Sequence, residues 1–220
     1  MKHFVSKPTY KGKVRKTVGF LIRFSDMITP EEFDELVEKS QMFLSDSDFR
    51  RLLHDPKIVK YSELKNYKNF EELLPSSTDY VIVLVESKKN SGHWCCLLRK
   101  DKMITEFDSY GSHIDHETDF VTRMLKTMLG ENKKEIARLQ KASPGFEMIH
   151  NKLKLQSDKP LDNQIPEPST CGRWVAAMIQ YFLMGFDLGE FQRFIKEKSK
   201  QKFDDLLPLD ILICVIVPSP

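Results

Sequence analysis

Residues 79–108 read DYVIVLVESKKNSGHWCCLLRKDKMITEFD, and the fold turns on this stretch. Tyr80 to Val85 is a run of β-branched and apolar residues, the pattern of a buried strand. Lys88 to Gly92 is a polar turn. His93 to Arg99 is a second strand and Met103 to Phe107 a third, with Lys100 to Lys102 as the loop between them. His93 thus opens one strand, and Asp108 follows the last residue of its neighbour. A short hairpin loop brings those two ends to the same edge of the sheet. The 15 positions between His93 and Asp108 match the span of two such strands and a turn, so a His–Asp contact is geometrically open.

On the C-terminal side, Phe146 to Leu155 alternates as a fourth strand. Asp158 to Thr170 carries Pro160, Pro166 and Pro168 and reads as a loop. Gly172 to Met184 is apolar nearly all round, which marks a buried helix. Leu188 to Lys200 is a more amphipathic helix, and Leu209 to Val217 reads as a last strand. Phe120 to Leu129 and Glu131 to Lys141 read as helices broken at Gly130. On the N-terminal side, Thr29, Pro30, Glu31 and Glu32 form an N-cap, a proline in the first turn and two acids, which start a helix over Pro30 to Phe43. Ser47 to Leu53 and Phe70 to Leu74 are shorter helical pieces. The expected fold class is α+β: a mixed or antiparallel central sheet packed on a buried central helix that begins at Cys171, with further helices outside. Residues 1–75 form an N-terminal helical region, either an appended lobe or part of the same domain, and residues 76–220 form the core.

Among 220 residues, 40 % are apolar and 30 % charged, an ordinary globular balance. A formal net charge of +2 sets the chain apart from strongly basic nucleic-acid binders. Lysine is dense only locally, at Lys7, Lys11, Lys13 and Lys16 and again at Lys196, Lys198, Lys200 and Lys202. These runs read first as solvated surface and second as a nucleic-acid patch. The longest apolar run, Ile211 to Val217, is far short of a membrane span. The four cysteines, Cys95, Cys96, Cys171 and Cys214, show no C-x-x-C spacing, so free thiols in a reducing, intracellular setting are expected. Cys95 and Cys96 alternate faces of their strand, so one of them should be buried.

Cys171 stands directly before the buried helix, where the positive end of the helix dipole favours a thiolate. Gly172 beside it allows close approach of a substrate or another backbone. His93 opens a strand next to a flexible turn and is placed to act as a base. Each has an ordinary reading as well: a small buried residue at a helix start, a turn histidine, and, for Asp108, a turn-forming aspartate.

The order Gly92-His93-Trp94, Phe107-Asp108-Ser109-Tyr110-Gly111, Thr170-Cys171-Gly172-Arg173-Trp174 resembles the adenain-like and SUMO-protease-like superfamily of cysteine peptidases. It looks most like the viral branch, the maturation proteases of virophages, Polinton-like elements and large DNA viruses. The resemblance covers residues 79 to 217. It implies a catalytic triad of His93 as base, Asp108 as its orienting acid and Cys171 as nucleophile. It also implies a glutamine in the oxyanion hole. Two positions compete: Gln156, in an Asn151-x4-Gln156 segment like that of the viral branch, and Gln164, seven residues before Cys171 as in the shorter adenain spacing. Trp94 and Arg173 belong to the motifs as packing or substrate-binding residues. The implied function is endoproteolysis of capsid or other structural precursors during particle maturation, by a monomer packaged in virions, with no required cofactor and with an activating peptide or DNA left open. Two alternatives stand beside it: removal of ubiquitin-like (SUMO-type) modifiers, and a catalytically inactive binding module of the same fold.

Overall fold

The computed structural model describes residues 29–117, 127–128, 134–160, 167–201 and 209–218. Helix α1 (Pro30–Ser40) starts where its caps dictate: Glu32 N–H donates to Thr29 Oγ1 at 3.2 Å, and Thr29 N–H donates back to Glu32 Oε2 at 2.8 Å. Helix α2 (Asp46–Leu52) repeats the device with Ser45 and Asp48. Strand β1 (Ile58–Lys60), a two-turn 3₁₀ helix (Tyr61–Asn66) and helix α3 (Phe70–Leu73) complete the N-terminal part. Then come β2 (Tyr80–Lys88), β3 (Ser91–Lys100), β4 (Met103–Phe107), α4 (Ile114–Glu117), α5 (Glu135–Lys141) and β5 (Glu147–His150). The chain ends with α6 (Cys171–Leu183), α7 (Leu188–Gln201) and α8 (Leu209–Ile216).

The sheet is mixed, in the order β1-β2-β3-β4-β5. The central pairs are antiparallel, and both outer strands run parallel to their neighbours. Both faces are covered. Ile82, Leu84, Trp94, Cys96 and Leu98 pack against Trp174 and the rest of α6 on one side. Val81, Val83, Cys95, Leu97 and Ile104 pack against Tyr61, Leu64, Phe70 and Leu139 on the other. This two-sided burial explains why β2 and β3 read as continuous apolar runs. It also corrects one expectation: Cys95 and Cys96 do alternate faces, but both are buried. All four cysteines are free. Among the described residues, no helix is long and apolar enough to cross a membrane.

Residues 29–75 enter the same sheet and core, through β1 beside β2 and through Leu44, Phe49 and Leu53 against the α6 face. The segment 209–217, expected as a strand, is the helix α8. Seven consecutive apolar residues carry no period, so packing decides. Here they fill the space beside α1 and α6, away from either sheet edge. The fourth strand is also shorter than expected, ending at His150 rather than Leu155, because Asn151 turns the chain by accepting from Leu153 N–H at 3.0 Å. The β3–β4 loop is tighter than expected: Lys100 pairs with Met103, and Asp101 takes a left-handed φ of 55°. Helix α5 falls within the expected 131–141 segment, and Phe120 to Leu129 lies largely outside the described residues.

The β2–β3 hairpin places His93. Lys88 pairs with Ser91 around Lys89 and Asn90, Asn90 has φ 58°, and a bulge between Glu86 and Lys88 tightens the bend. Lys60 Nζ holds it to β1, 3.1 Å from Glu86 Oε1 and 2.7 Å from Asn90 Oδ1. At Gly92 a Cβ would lie 1.9 Å from the Val85 carbonyl oxygen, a backbone atom that cannot turn aside. Gly92→Ala is therefore expected to destabilise the protein by about 1–3 kcal/mol or more and to displace His93. Urea unfolding measures the first effect, and a midpoint equal to wild type would refute the clash.

Candidate active site

His93 and Asp108 meet at the sheet edge as the hairpin spacing allows. His93 Nε2 donates to Asp108 Oδ1 at 2.5 Å, with the aspartate side chain fully buried. The imidazole also interacts with the thiol of Cys171, the first residue of α6. The structure thus gathers three residues from two separate parts of the chain around one ring.

Asp108 acts as a turn-former and as a partner of His93 at once. Tyr110 N–H donates to its Oδ1 at 3.2 Å and Ser112 N–H to its Oδ2 at 3.0 Å. Its backbone carbonyl accepts from Gly111 N–H at 3.1 Å and from Asn151 Nδ2 at 2.6 Å. Gly111 completes this turn with φ 79°, a conformation that favours glycine. Four donors therefore fix the carboxylate and its backbone before any substrate arrives.

Cys171 is fixed from the other side. Thr170 does not cap α6, because its hydroxyl donates to Asp210 Oδ1 instead. The other oxygen of Asp210 accepts from Ser157 N–H at 2.8 Å. Ser169 N–H donates to Ser40 O at 2.7 Å, tying the approach to α6 to the end of α1. The first turn of α6 keeps backbone N–H groups that no side chain caps, next to the thiol. Gly172 is needed for packing: a Cβ there would meet Leu44 Cβ at 2.9 Å and Trp94 Cδ1 at 3.4 Å.

Gln156 is buried and held by three groups. Its Oε1 accepts from Ser109 Oγ at 2.8 Å, and its Nε2 lies 2.9 Å from Pro168 O and 3.3 Å from Tyr110 Oη. It is not the end of a strand. It sits six residues beyond β5, anchored by Leu155 and Gln156 N–H groups on Ser109 O at 2.8 and 3.0 Å. Gln164 lies outside the described residues. Trp94 is buried against Phe49, and its Nε1 donates to Leu44 O at 2.9 Å. Arg173 is 1 % exposed, with its guanidinium on Lys39 O at 3.1 Å and on Val217 O at 3.5 Å. It thus joins the ends of α1 and α8, and neither motif residue offers a side-chain surface to a substrate.

Three neighbours were not legible as site residues. Tyr110 stacks on His93 with ring centroids 4.8 Å apart. Asp210 supports Thr170 from α8. Glu117, in α4, lies buried behind Asp108. The F-D-S-Y-G motif contains Tyr110, but nothing in it says that the ring folds back over His93. Burial disfavours the His93 imidazolium, yet the surrounding Cys95, Asp108 and Cys171 outweigh burial and hold the ring well above its usual range. Burial, with Asp108 close by, pushes Glu117 up to about 7. Burial also drives the Cys95 thiol far up.

No family model matches the chain. Over 165 residues it is 27 % identical to Uncharacterized protein V9 of Sputnik virophage. That match covers 74 % of this chain and 89 % of the virophage protein. Among solved structures, the SUMO protease Ulp1 with its catalytic cysteine oxidised to a sulfinic acid superposes with a TM-score of 0.33 at 14 % identity, covering 98 % of both chains. The C-terminal Ulp1 protease domain in complex with Smt3, the yeast ortholog of SUMO, gives 0.30 at 15 % identity, again over 98 % of both.

Proposed function

We propose that the chain is a cysteine endopeptidase that cleaves capsid or other structural precursors during virus particle maturation. One observation carries the chemistry: a histidine held by a buried carboxylate at 2.5 Å interacts with a thiol at the uncapped start of a buried helix. In the proposed cycle His93 takes the thiol proton, and the Cys171 thiolate attacks the peptide carbonyl. The free N–H groups at the start of α6 and the Gln156 amide stabilise the oxyanion. His93 returns the proton to the leaving amine, and water hydrolyses the thioester. Asp108 keeps the ring in the tautomer with Nε2–H, which leaves Nδ1 toward Cys171. The viral setting is supported by the likeness to a virophage protein.

A thiol-reactive peptide probe tests the chemistry: it should label wild type at Cys171 and fail on His93→Ala. Incubation with capsid precursor and, separately, with SUMO conjugates tests the substrate. Cleavage of the conjugates alone would replace maturation by modifier removal.

The oxyanion role makes its own prediction. Gln156 has one N–H on Pro168 O and the other on the longer contact to Tyr110 Oη, which is the one able to turn to a substrate oxygen. Gln156→Ala is expected to lower kcat by about 10²–10³ with KM nearly unchanged, and Gln164→Ala to do neither. Steady-state kinetics on both variants decide between the two glutamines.

A further inference from the structure

Cys95 has no task in the proposed cycle, yet it stands against its central pair. A ring nitrogen of His93, the Sγ of Cys95 and a carboxylate oxygen of Asp108 all lie within 4.8 Å of one another. Cys95 Sγ is 3.9 Å from the same Asp108 Oδ1 that His93 Nε2 contacts at 2.5 Å. This is the only such cluster of nitrogen, sulfur and oxygen donors among the described residues. A fourth donor is close by. Glu117 is 5 % exposed and interacts electrostatically with Asp108, His93 and Cys95; its carboxyl hydrogen-bonds with Asp108 and Ser112, while its Oε1 has no hydrogen-bond partner among the described residues. A buried carboxyl oxygen without a partner is costly, and a cation would satisfy it. The His93 side chain, 14 % exposed, is the way in.

We propose that His93, Cys95 and Asp108, with Glu117 beside them, form an inhibitory site for zinc. One imidazole nitrogen, one thiolate and carboxylate oxygens are the donor set zinc takes in four-coordinate sites, whereas magnesium and calcium require oxygen ligands. On binding, Zn–Nε2, Zn–Sγ and Zn–Oδ1 bonds form. The Cys95 S–H bond breaks and its proton goes to solvent, and the single ring proton of His93 moves from Nε2 to Nδ1, the nitrogen left toward Cys171. A ring metallated on one nitrogen and protonated on the other has no lone pair for the Cys171 proton. Zinc therefore removes the base without touching the nucleophile. The inhibitory effect rests on the peptidase reading above; the binding itself does not.

The test begins with Cys171→Ala, which removes the thiol that zinc would attack in any cysteine peptidase. Cobalt(II) titrated into this protein should bind one ion and give a sulfur-to-cobalt charge-transfer absorption. That band already requires Cys95, because Cys96 lies on the other face of the sheet and Cys214 in α8. Adding Cys95→Ser should abolish the band and weaken zinc binding by at least ~10-fold, and Glu117→Gln should weaken it by about 10-fold. Zinc should also raise the unfolding temperature of Cys171→Ala and leave the double variant unmoved. Absence of the band in Cys171→Ala overturns the proposal, whether or not the Cys95 variant folds. So does zinc affinity unchanged by Cys95→Ser in a variant with wild-type circular dichroism. If the site binds as expected but wild type neither cleaves precursor nor takes the peptide probe, the peptidase reading fails and the metal site stands.

Discussion

Cys171→Ser is expected to lower precursor cleavage by several orders of magnitude, up to ~10⁶ as for the lone nucleophile of a triad. Cys171 is nearly buried at the start of α6, and the exchange of sulfur for oxygen is small. The unfolding midpoint should therefore stay within a few degrees of wild type, which separates lost chemistry from lost structure. The hydroxyl retains a contact with His93 but is a far weaker nucleophile at neutral pH than a thiol paired with imidazole. Cys95→Ala and Cys96→Ala serve as the comparison. If either abolishes cleavage in a folded protein while Cys171→Ala retains it, the nucleophile has been misassigned.

The second large effect is expected at Asp108. In Asp108→Asn one oxygen becomes an amide nitrogen, and every position it can occupy already faces a donor. Oδ1 takes His93 and Tyr110 N–H, and Oδ2 takes Ser112 N–H. Either orientation sets a donor against a donor, so the substitution should cost about 1–3 kcal/mol of stability. It should also release the ring to the wrong tautomer. The loss in kcat could approach ~10⁴ by analogy with serine triads, and should stay smaller than that of Cys171→Ser, because a thiol needs less help to ionise than a hydroxyl. Chemical denaturation and steady-state kinetics measure the two parts separately. Full activity in a folded Asp108→Asn protein would mean that another group orients His93, and the buried Glu117 would be the first to examine.

Much of the frame was open to reading because it is local. The β2–β3–β4 run, the start of α1 at Thr29 and the all-round apolar α6 each follow from period, capping and turn chemistry within a dozen residues. The His93–Asp108 contact was within reach for the same reason, since one hairpin loop sets the register that joins them. The three-residue Ile58–Lys60 strand was too short to carry a period, and only its parallel pairing with β2 makes it a strand. The sequence pattern carries the fourth strand to Leu155, next to Gln156, whereas the strand stops at His150 and three hydrogen bonds in a loop hold the glutamine.

By itself the sequence determined where apolar faces must be buried, where helices begin, which thiol stands at a helix start and that an α+β architecture accommodates them. These follow from the spacing of side chains along a backbone of fixed geometry. The tertiary structure decided the rest. It made residues 209–216 a helix, because the space beside α1 and α6 accepts a cylinder and offers no free strand to pair with. It folded Tyr110 over His93, set Asp210 under Thr170, and brought Cys95 and the buried carboxyl of Glu117 near the same imidazole. Contacts of this kind join residues whose separation along the chain says nothing of their distance in space. They exist only once a core closed on both faces of the sheet has fixed every element against the others.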